Sequence, residues 1–229
     1  ARSVAVTIVP DLLTEPTAEL AIGLMIAVAR NIVPGDSFVR SGEFQGWRPR
    51  FYGGSIDGAT VAVIGAGAVG RTVLRMLKGF NCQRLYVDKR PLAGECEAEL
   101  DCRQVALDEA LREADFVVLG LHLMPETLHL VDADFIARMK PGSYLINPAR
   151  GSVVDERAVA DALASGHLAG YAADTFEMED WTLADRPQSI DGRLLASERT
   201  VLTPHIGSAV SNVRQAIERS AAESIVAVA

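Results

Sequence analysis

Cysteine is scarce in this chain of 229 residues: there are three, Cys82, Cys96 and Cys102. The number is odd and the spacing is not that of metal ligands, so neither a disulfide framework nor a metal site is expected. They read as free thiols of a reducing, cytoplasmic compartment. Long apolar runs are also lacking. None approaches the roughly 20 residues that span a bilayer, and the opening ARSVAVTIVP has no apolar core followed by a cleavage site, so no membrane span or signal peptide is read. Positive charge is in deficit, with 22 Lys and Arg against 30 Asp and Glu, a net charge of −8. That balance argues against a nucleic-acid or anionic-membrane surface. It leaves room for a small anionic substrate held by one local arginine. The start is without Met and enters directly on an apolar run, so a beginning partway through a longer protein is expected.

What is present is enough apolar residue, 49%, for a sizeable core. Val4–Pro10 reads as a strand. TEPTAELAIGLMIAVARNI predicts a helix over 15–32, capped by Thr14 or Thr17. It is apolar nearly all round, and so is expected to lie in a core or against a second subunit. Val33–Asp57 reads as a long irregular stretch carrying Trp47, Phe51 and Tyr52. From Ala59 onward strands and helices alternate. TVAVIG, RLYVD, DFVVLGL, SYLINP, LAGYAADTF and RTVLTPH predict strands. AVGRTVLRMLKGF, ALDEALREA, DADFIARMK and DERAVADALASG predict helices, and 206–228 a long closing helix. The strands are continuously apolar, so both faces are covered. This predicts an α/β fold, a doubly wound parallel sheet.

VAVIGAGAVGR places Gly65, Gly67 and Gly70 as G-x-G-x-x-G, with Ala66, Ala68 and Val69 between them. The motif follows a strand, opens a helix and precedes Asp88 at the end of the next strand. Gly65 permits the tight turn, Gly67 lets the backbone approach a pyrophosphate, and Gly70 allows the helix to pack on the strand. Asp88 is placed to accept from the adenosine ribose hydroxyls. A dinucleotide is therefore expected. Asp88 favours NAD, while Lys89 and Arg90 leave NADP possible by offering charge to a 2′-phosphate.

Three polar residues end or closely follow the last strands: Arg150 after INPA, Glu179 in DTFEMED and His205 in LTPHIG. Ligands of open α/β sheets bind beyond the carboxyl ends of the strands, so these three can converge on the nicotinamide. Hydride transfer from an anionic substrate needs a cation (Arg150), a base (His205) and a carboxylate to orient the base. Spacing alone leaves Glu177 and Glu179 as rivals for that last role. Asp174 is placed to meet the nicotinamide carboxamide. His122 lies near the cofactor rim as a mainly structural group, and His129 and His167 read as surface or helix-end residues.

NPARGSVVDE, Arg150, Glu179 and TPHIG together resemble the NAD-dependent D-2-hydroxyacid dehydrogenase family. That resemblance chooses Glu179 over Glu177. It implies catalytic roles for Arg150, Glu179 and His205, with Trp47, Tyr52 and Arg214 lining or supporting the site. It implies cofactor contacts from Thr17, Gly65, Ala66, Gly67, Ala68, Val69, Gly70, Asp88, Leu121, His122, Leu123, Pro148, Ala149, Arg150, Asp174, His205 and Gly207. His122 departs from the family, which commonly has proline there. Within the family, VPDLLTEPTAELAIGL, FVRSGEFQGWRP and GYAADTFEMEDW resemble the branch that oxidises phosphite to phosphate with NAD⁺. An ordinary D-2-hydroxy acid is the alternative substrate, and a non-catalytic, corepressor-like NAD-binding module a further one. The resemblance also implies a division into a remnant of a substrate domain at 1–14, a dinucleotide-binding domain at 15–206, and a closing helix at 207–229 running back toward the substrate domain. Most of that substrate domain, with a lysine that also holds the substrate, is expected to be missing from this chain. A homodimer through helix 15–32 is implied.

Overall fold

A computed structural model describes residues 6–9 and 11–228. Seven strands form: β1 (Thr60–Ile64), β2 (Gln83–Val87), β3 (Arg103–Gln104), β4 (Phe116–Leu119), β5 (Ser143–Asn147), β6 (Leu168–Ala173) and β7 (Thr200–Leu202). Six come from the predicted apolar runs, and β3, a two-residue polar edge strand, was not predicted. All neighbours are parallel, and the order is β3-β2-β1-β4-β5-β6-β7. The order reverses between β1 and β4, which opens a crevice at their carboxyl ends.

Side chains alternate between two cores. Val61 and Val63 face one, with Leu24 and Met25 of α1 (Thr14–Ala29) and Val73 and Leu74 of α3 (Ala68–Leu77). Ala62 and Ile64 face the other, with Leu111 of α5 (Leu107–Glu113), Phe135 of α6 (Ala133–Arg138) and Val159 of α7 (Glu156–Ser165). Burial on both faces explains why these strands lack a polar alternation. The doubly wound α/β prediction is realised.

The predicted helix over 15–32 is divided. α1 ends at Ala29, Asn31 takes the left-handed conformation at φ 52°, and α2 (Ile32–Arg40) leaves at a 64° bend. Asn tolerates that conformation better than most residues. Pro34 falls in the first turn of α2, where its missing N–H costs nothing, and Arg40 Nε bonds Asp36 Oδ2 at 2.7 Å. α2 therefore occupies part of the stretch read as irregular. α1 is only partly enclosed: Ala18, Ala21 and Met25 are buried, whereas Ile22, Ile26 and Ala27 are half-buried.

The reading also missed α4 (Gly94–Leu100), α8 (Gly192–Ala196) and two 3-10 turns, Gly151–Val153 and Glu177–Glu179. These elements are too short for periodicity to register. The closing helix α9 (Ser211–Val228) starts later than predicted, after a loop over 203–210. Of the strand expected at Val4–Pro10, residues 4, 5 and 10 lie outside the described residues. Val6–Val9 are not a strand, and Val6 and Ile8 face solvent. No single helix among the described residues is long and apolar enough to cross a membrane.

Candidate active site

The glycine-rich turn joins β1 to α3. Gly65 has φ 98°, and a Cβ there would lie 2.7 Å from Gly120 O. A Cβ on Gly70 would lie 2.0 Å from Gly65 O, so α3 can start this close to β1 only with glycine at that position. Gly67 faces open space. It caps α3 without a side-chain hydrogen bond, leaving the first amides of the helix free to meet an anion. Asp88 stands just past β2. Its Oδ2 accepts from Ala66 N at 2.8 Å and its Oδ1 from Arg90 N at 3.1 Å. Lys89 and Arg90 are exposed.

A cleft of about 420 Å³ runs along the carboxyl ends of the strands. Of the residues singled out from the sequence, Thr17, Gly67, Ala68, Val69, Leu121, His122, Pro148, Ala149, Arg150, Asp174, His205 and Gly207 line it. Gly65, Ala66 and Gly70 shape the turn behind the wall, and Asp88 lies beyond the cleft lining. Leu123 packs instead on the core beneath the sheet. Trp47 and Tyr52 are about four-fifths exposed and are not among the cleft residues. Trp47 borders a separate apolar hollow with Phe38 and Phe44. Arg214, on α9, is exposed and equally outside the cleft. The arm after α2 thus carries the aromatic pair away from this chain's own cleft.

Arg150 follows β5 through an Asn-Pro turn. Asn147 is wholly buried, and its side chain accepts from Ala149 N at 3.1 Å and donates to Arg150 O at 3.0 Å. This fixes the backbone of Arg150. Its guanidinium is exposed, and among the described residues it makes one hydrogen bond, Nη1 to Ala149 O at 2.7 Å. The rest of the fork is available to an anion. Sequence reasoning passed over Asn147, although an Asn before Pro at a strand end is the signal of such a turn.

His205 follows β7 and has φ 54°, a strained value for a residue with a Cβ. Asp174, at the end of β6 and 1% exposed, compensates. Its Oδ1 accepts from Ile206 N at 2.8 Å and Thr203 Oγ1 at 2.5 Å, and its Oδ2 from Gly207 N at 2.8 Å. His205 N in turn donates to Asp174 O at 2.8 Å. The buried carboxylate thus holds the histidine loop; among the described residues Oδ1 accepts two hydrogen bonds and Oδ2 one, so Oδ2 can accept another. His205 Nδ1 lies 2.6 Å from Glu179 Oε2, and Glu179 Oε1 accepts from Phe176 N at 2.8 Å. Glu177 points elsewhere, to His129 Nε2 at 2.8 Å. His129 is thus an exposed residue with a specific partner, and His167 Nε2 meets Ile136 O at 2.8 Å.

The family model described as the D-isomer specific 2-hydroxyacid dehydrogenase NAD-binding domain matches residues 22–207. The chain belongs to this family. It is 40% identical over 231 residues to a glyoxylate reductase of Pyrococcus horikoshii, covering 99% of this chain and 66% of that protein. A putative D-isomer specific 2-hydroxyacid dehydrogenase from Polaromonas sp. JS6 66 superposes with a TM-score of 0.87 at 30% identity, over 96% of this chain and 66% of that one. A glyoxylate reductase from Paecilomyes thermophila gives 0.82 at 31%, over 91% and 60%. The chain thus spans about two thirds of the length of these relatives. NAD is the cofactor of the family domain, and the residues fit it. The side-chain-free Gly67, the uncapped start of α3 and the polar ends of β5 to β7 share one cleft of suitable size.

Proposed function

We propose that this chain supplies the NAD-binding and proton-transferring half of a dehydrogenase acting on a small 2-hydroxy or 2-oxo acid of the size of glyoxylate. The observation that carries the proposal is the pairing of His205 with Glu179 at 2.6 Å beside Arg150 on one cleft. NAD, when bound, supplies the hydride chemistry. The chain's residues do the rest. Arg150 anchors the substrate carboxylate through its fork. A carboxylate facing Nδ1 holds the proton there, so Nε2 is the nitrogen that exchanges a proton with the substrate oxygen. Asp174 offers the remaining acceptor position of Oδ2 to the nicotinamide carboxamide. The names of the similar relatives support glyoxylate as the substrate.

Phosphite is a second reading, favoured by Met178–Trp181 on the Glu179 turn. There the chain reads MEDW, whereas common hydroxyacid dehydrogenases read PEP or similar. In that case Arg150 would hold the phosphite dianion, His205 would deprotonate the attacking water, and the P–H hydride would leave to NAD⁺. The purified protein separates the readings. Oxidation of NADH with glyoxylate, and no reduction of NAD⁺ with phosphite, supports the first; the reverse outcome supports the second. Cofactor binding without turnover of either substrate would mark a non-catalytic module.

A homodimer through α1 and α2 belongs to the same proposal. α1 leaves Ile22 and Ile26 half-covered, and Ile32, Val33 and Val39 of α2 are exposed, an apolar face that a second copy would cover. Sedimentation at micromolar concentration should give a dimer; a monomer alone would refute it.

A further inference from the structure

Two acids sit on the 3-10 turn Glu177–Glu179, and the activity proposed above uses only one. The other is buried, 8% exposed, and so is Glu156 at the start of α7, 3% exposed. Buried carboxylates are costly unless their oxygens are hydrogen-bonded, and these two are bonded reciprocally. Glu177 Oε1 accepts from Glu156 N at 3.0 Å, while Glu156 Oε1 accepts from Glu177 N at 2.9 Å. The second oxygen of Glu177 meets His129, and that of Glu156 accepts from Asp191 N at 3.3 Å. Burial pushes the Glu156 carboxyl above the usual carboxylate range.

This clasp has a definite place in the fold. It ties the turn bearing Glu179 to the segment that follows Arg150. Gly151 rests against the same turn so closely that a Cβ would lie 1.8 Å from Phe176 C. Ser152 N donates to Asp180 Oδ2 at 2.8 Å, and His129 N to Ser152 O at 2.8 Å. Glu179 reaches His205 from a turn of three residues, which has no rigidity of its own. The turn is held by its neighbours, and among the described residues Glu177 is the one side chain on it that is bonded on both oxygens to other segments.

We infer that Glu177 is a positioning residue: through Glu156 and His129 it fixes the turn from which Glu179 orients His205. The inference rests on the proton-transfer role of His205 given above. It predicts that Glu177 matters only while Glu179 is present.

The test is a double-mutant cycle on the purified protein with Glu177→Ala, Glu179→Gln and the pair, reading kcat, NADH affinity and the proton NMR signal of His205 Nδ1–H. Glu177→Ala should lower kcat by roughly ten- to a hundredfold, the scale of a misplacement of about 1 Å, and leave NADH affinity unchanged. The Nδ1–H signal, protected from exchange by Glu179, should broaden or vanish. Added to Glu179→Gln, the same substitution should cost nothing further. Glu177→Gln, which keeps an acceptor for Glu156 N–H, should recover most of kcat. If Glu177→Ala does not fold, His129→Phe, made at an exposed side chain, repeats the comparison with a smaller loss. Additive losses, or an unchanged Nδ1–H signal in Glu177→Ala, overturn the inference. Full activity in Glu179→Gln would instead overturn the role of the His205–Glu179 pair, and the inference with it.

Discussion

Replacing His205 by Gln should lower kcat by roughly 10²–10⁴-fold, the range for loss of a general acid–base, while NADH still binds. The geometry separates the two effects. Glu179 lies 2.6 Å from Nδ1, so the proton on that nitrogen is held by a carboxylate. Nε2 is then the nitrogen left to exchange, with a lone pair when the ring is neutral and a proton when it is charged. In the reducing direction negative charge builds on the substrate oxygen, and a proton must reach it. Gln offers an amide in the same space but cannot give up a proton. Most of the residues proposed to hold the nucleotide, in the Gly67–Val69 turn and at the ends of β4 and β5, are left alone by the substitution. The backbone should survive because Asp174, not the imidazole, holds the loop through Ile206 N and Gly207 N. Stopped-flow single turnovers, together with NADH fluorescence titration, check both halves. Wild-type turnover in the variant would remove the histidine from the chemistry.

The two halves of this cleft were not equally readable in the sequence. The nucleotide half was plain, because its constraints are local. Gly65 needs a positive φ, Gly70 needs the absence of a Cβ, and both sit where a strand period gives way to a helix period. Arg150 and His205 were legible for a related reason: each follows a run apolar enough to be a buried strand, and such runs end at a common edge. The choice between Glu177 and Glu179 was not legible. The two acids are two residues apart on a 3-10 turn, and only packing sends one to His205 and the other to Glu156. Resemblance to the family chose Glu179, whose Oε2 lies 2.6 Å from His205 Nδ1. Trp47 and Tyr52 came by resemblance too, and they lie away from this cleft. The break at Asn31 turns α2 outward, and a single left-handed Asn leaves no periodic trace by which to foresee it. Asp174 was placed correctly at a strand end. Its bonds to the His205 loop depend on a turn whose shape no spacing records.

Replacing Arg150 by Gln should raise KM for the acid substrate and cut kcat/KM by roughly 10²–10³-fold, the range for losing one partner of a charged hydrogen-bonded pair. Two features make the loss fall mainly on substrate binding. The Arg150 backbone is pinned by Asn147 Nδ2 to its carbonyl at 3.0 Å and by Gly151 packed against Phe176, so the substitution changes a side chain and not the loop. The guanidinium is also the only Lys or Arg cation lining the cleft among the described residues; the other basic groups there are the imidazoles of His122 and His205. In a chain with a net charge of −8, the substrate anion meets an unfavourable background field, and without Arg150 little opposes it. Arg150→Lys should keep the attraction and lose the fork. It should therefore fall between wild type and Gln, with poorer discrimination between planar carboxylates and other small anions. Because an anchored carboxylate is held in the ground state as well as the transition state, KM should rise by more than kcat falls. Steady-state rates for the three side chains at saturating NADH decide the matter. An unchanged KM in Arg150→Gln would show that the anion is held elsewhere.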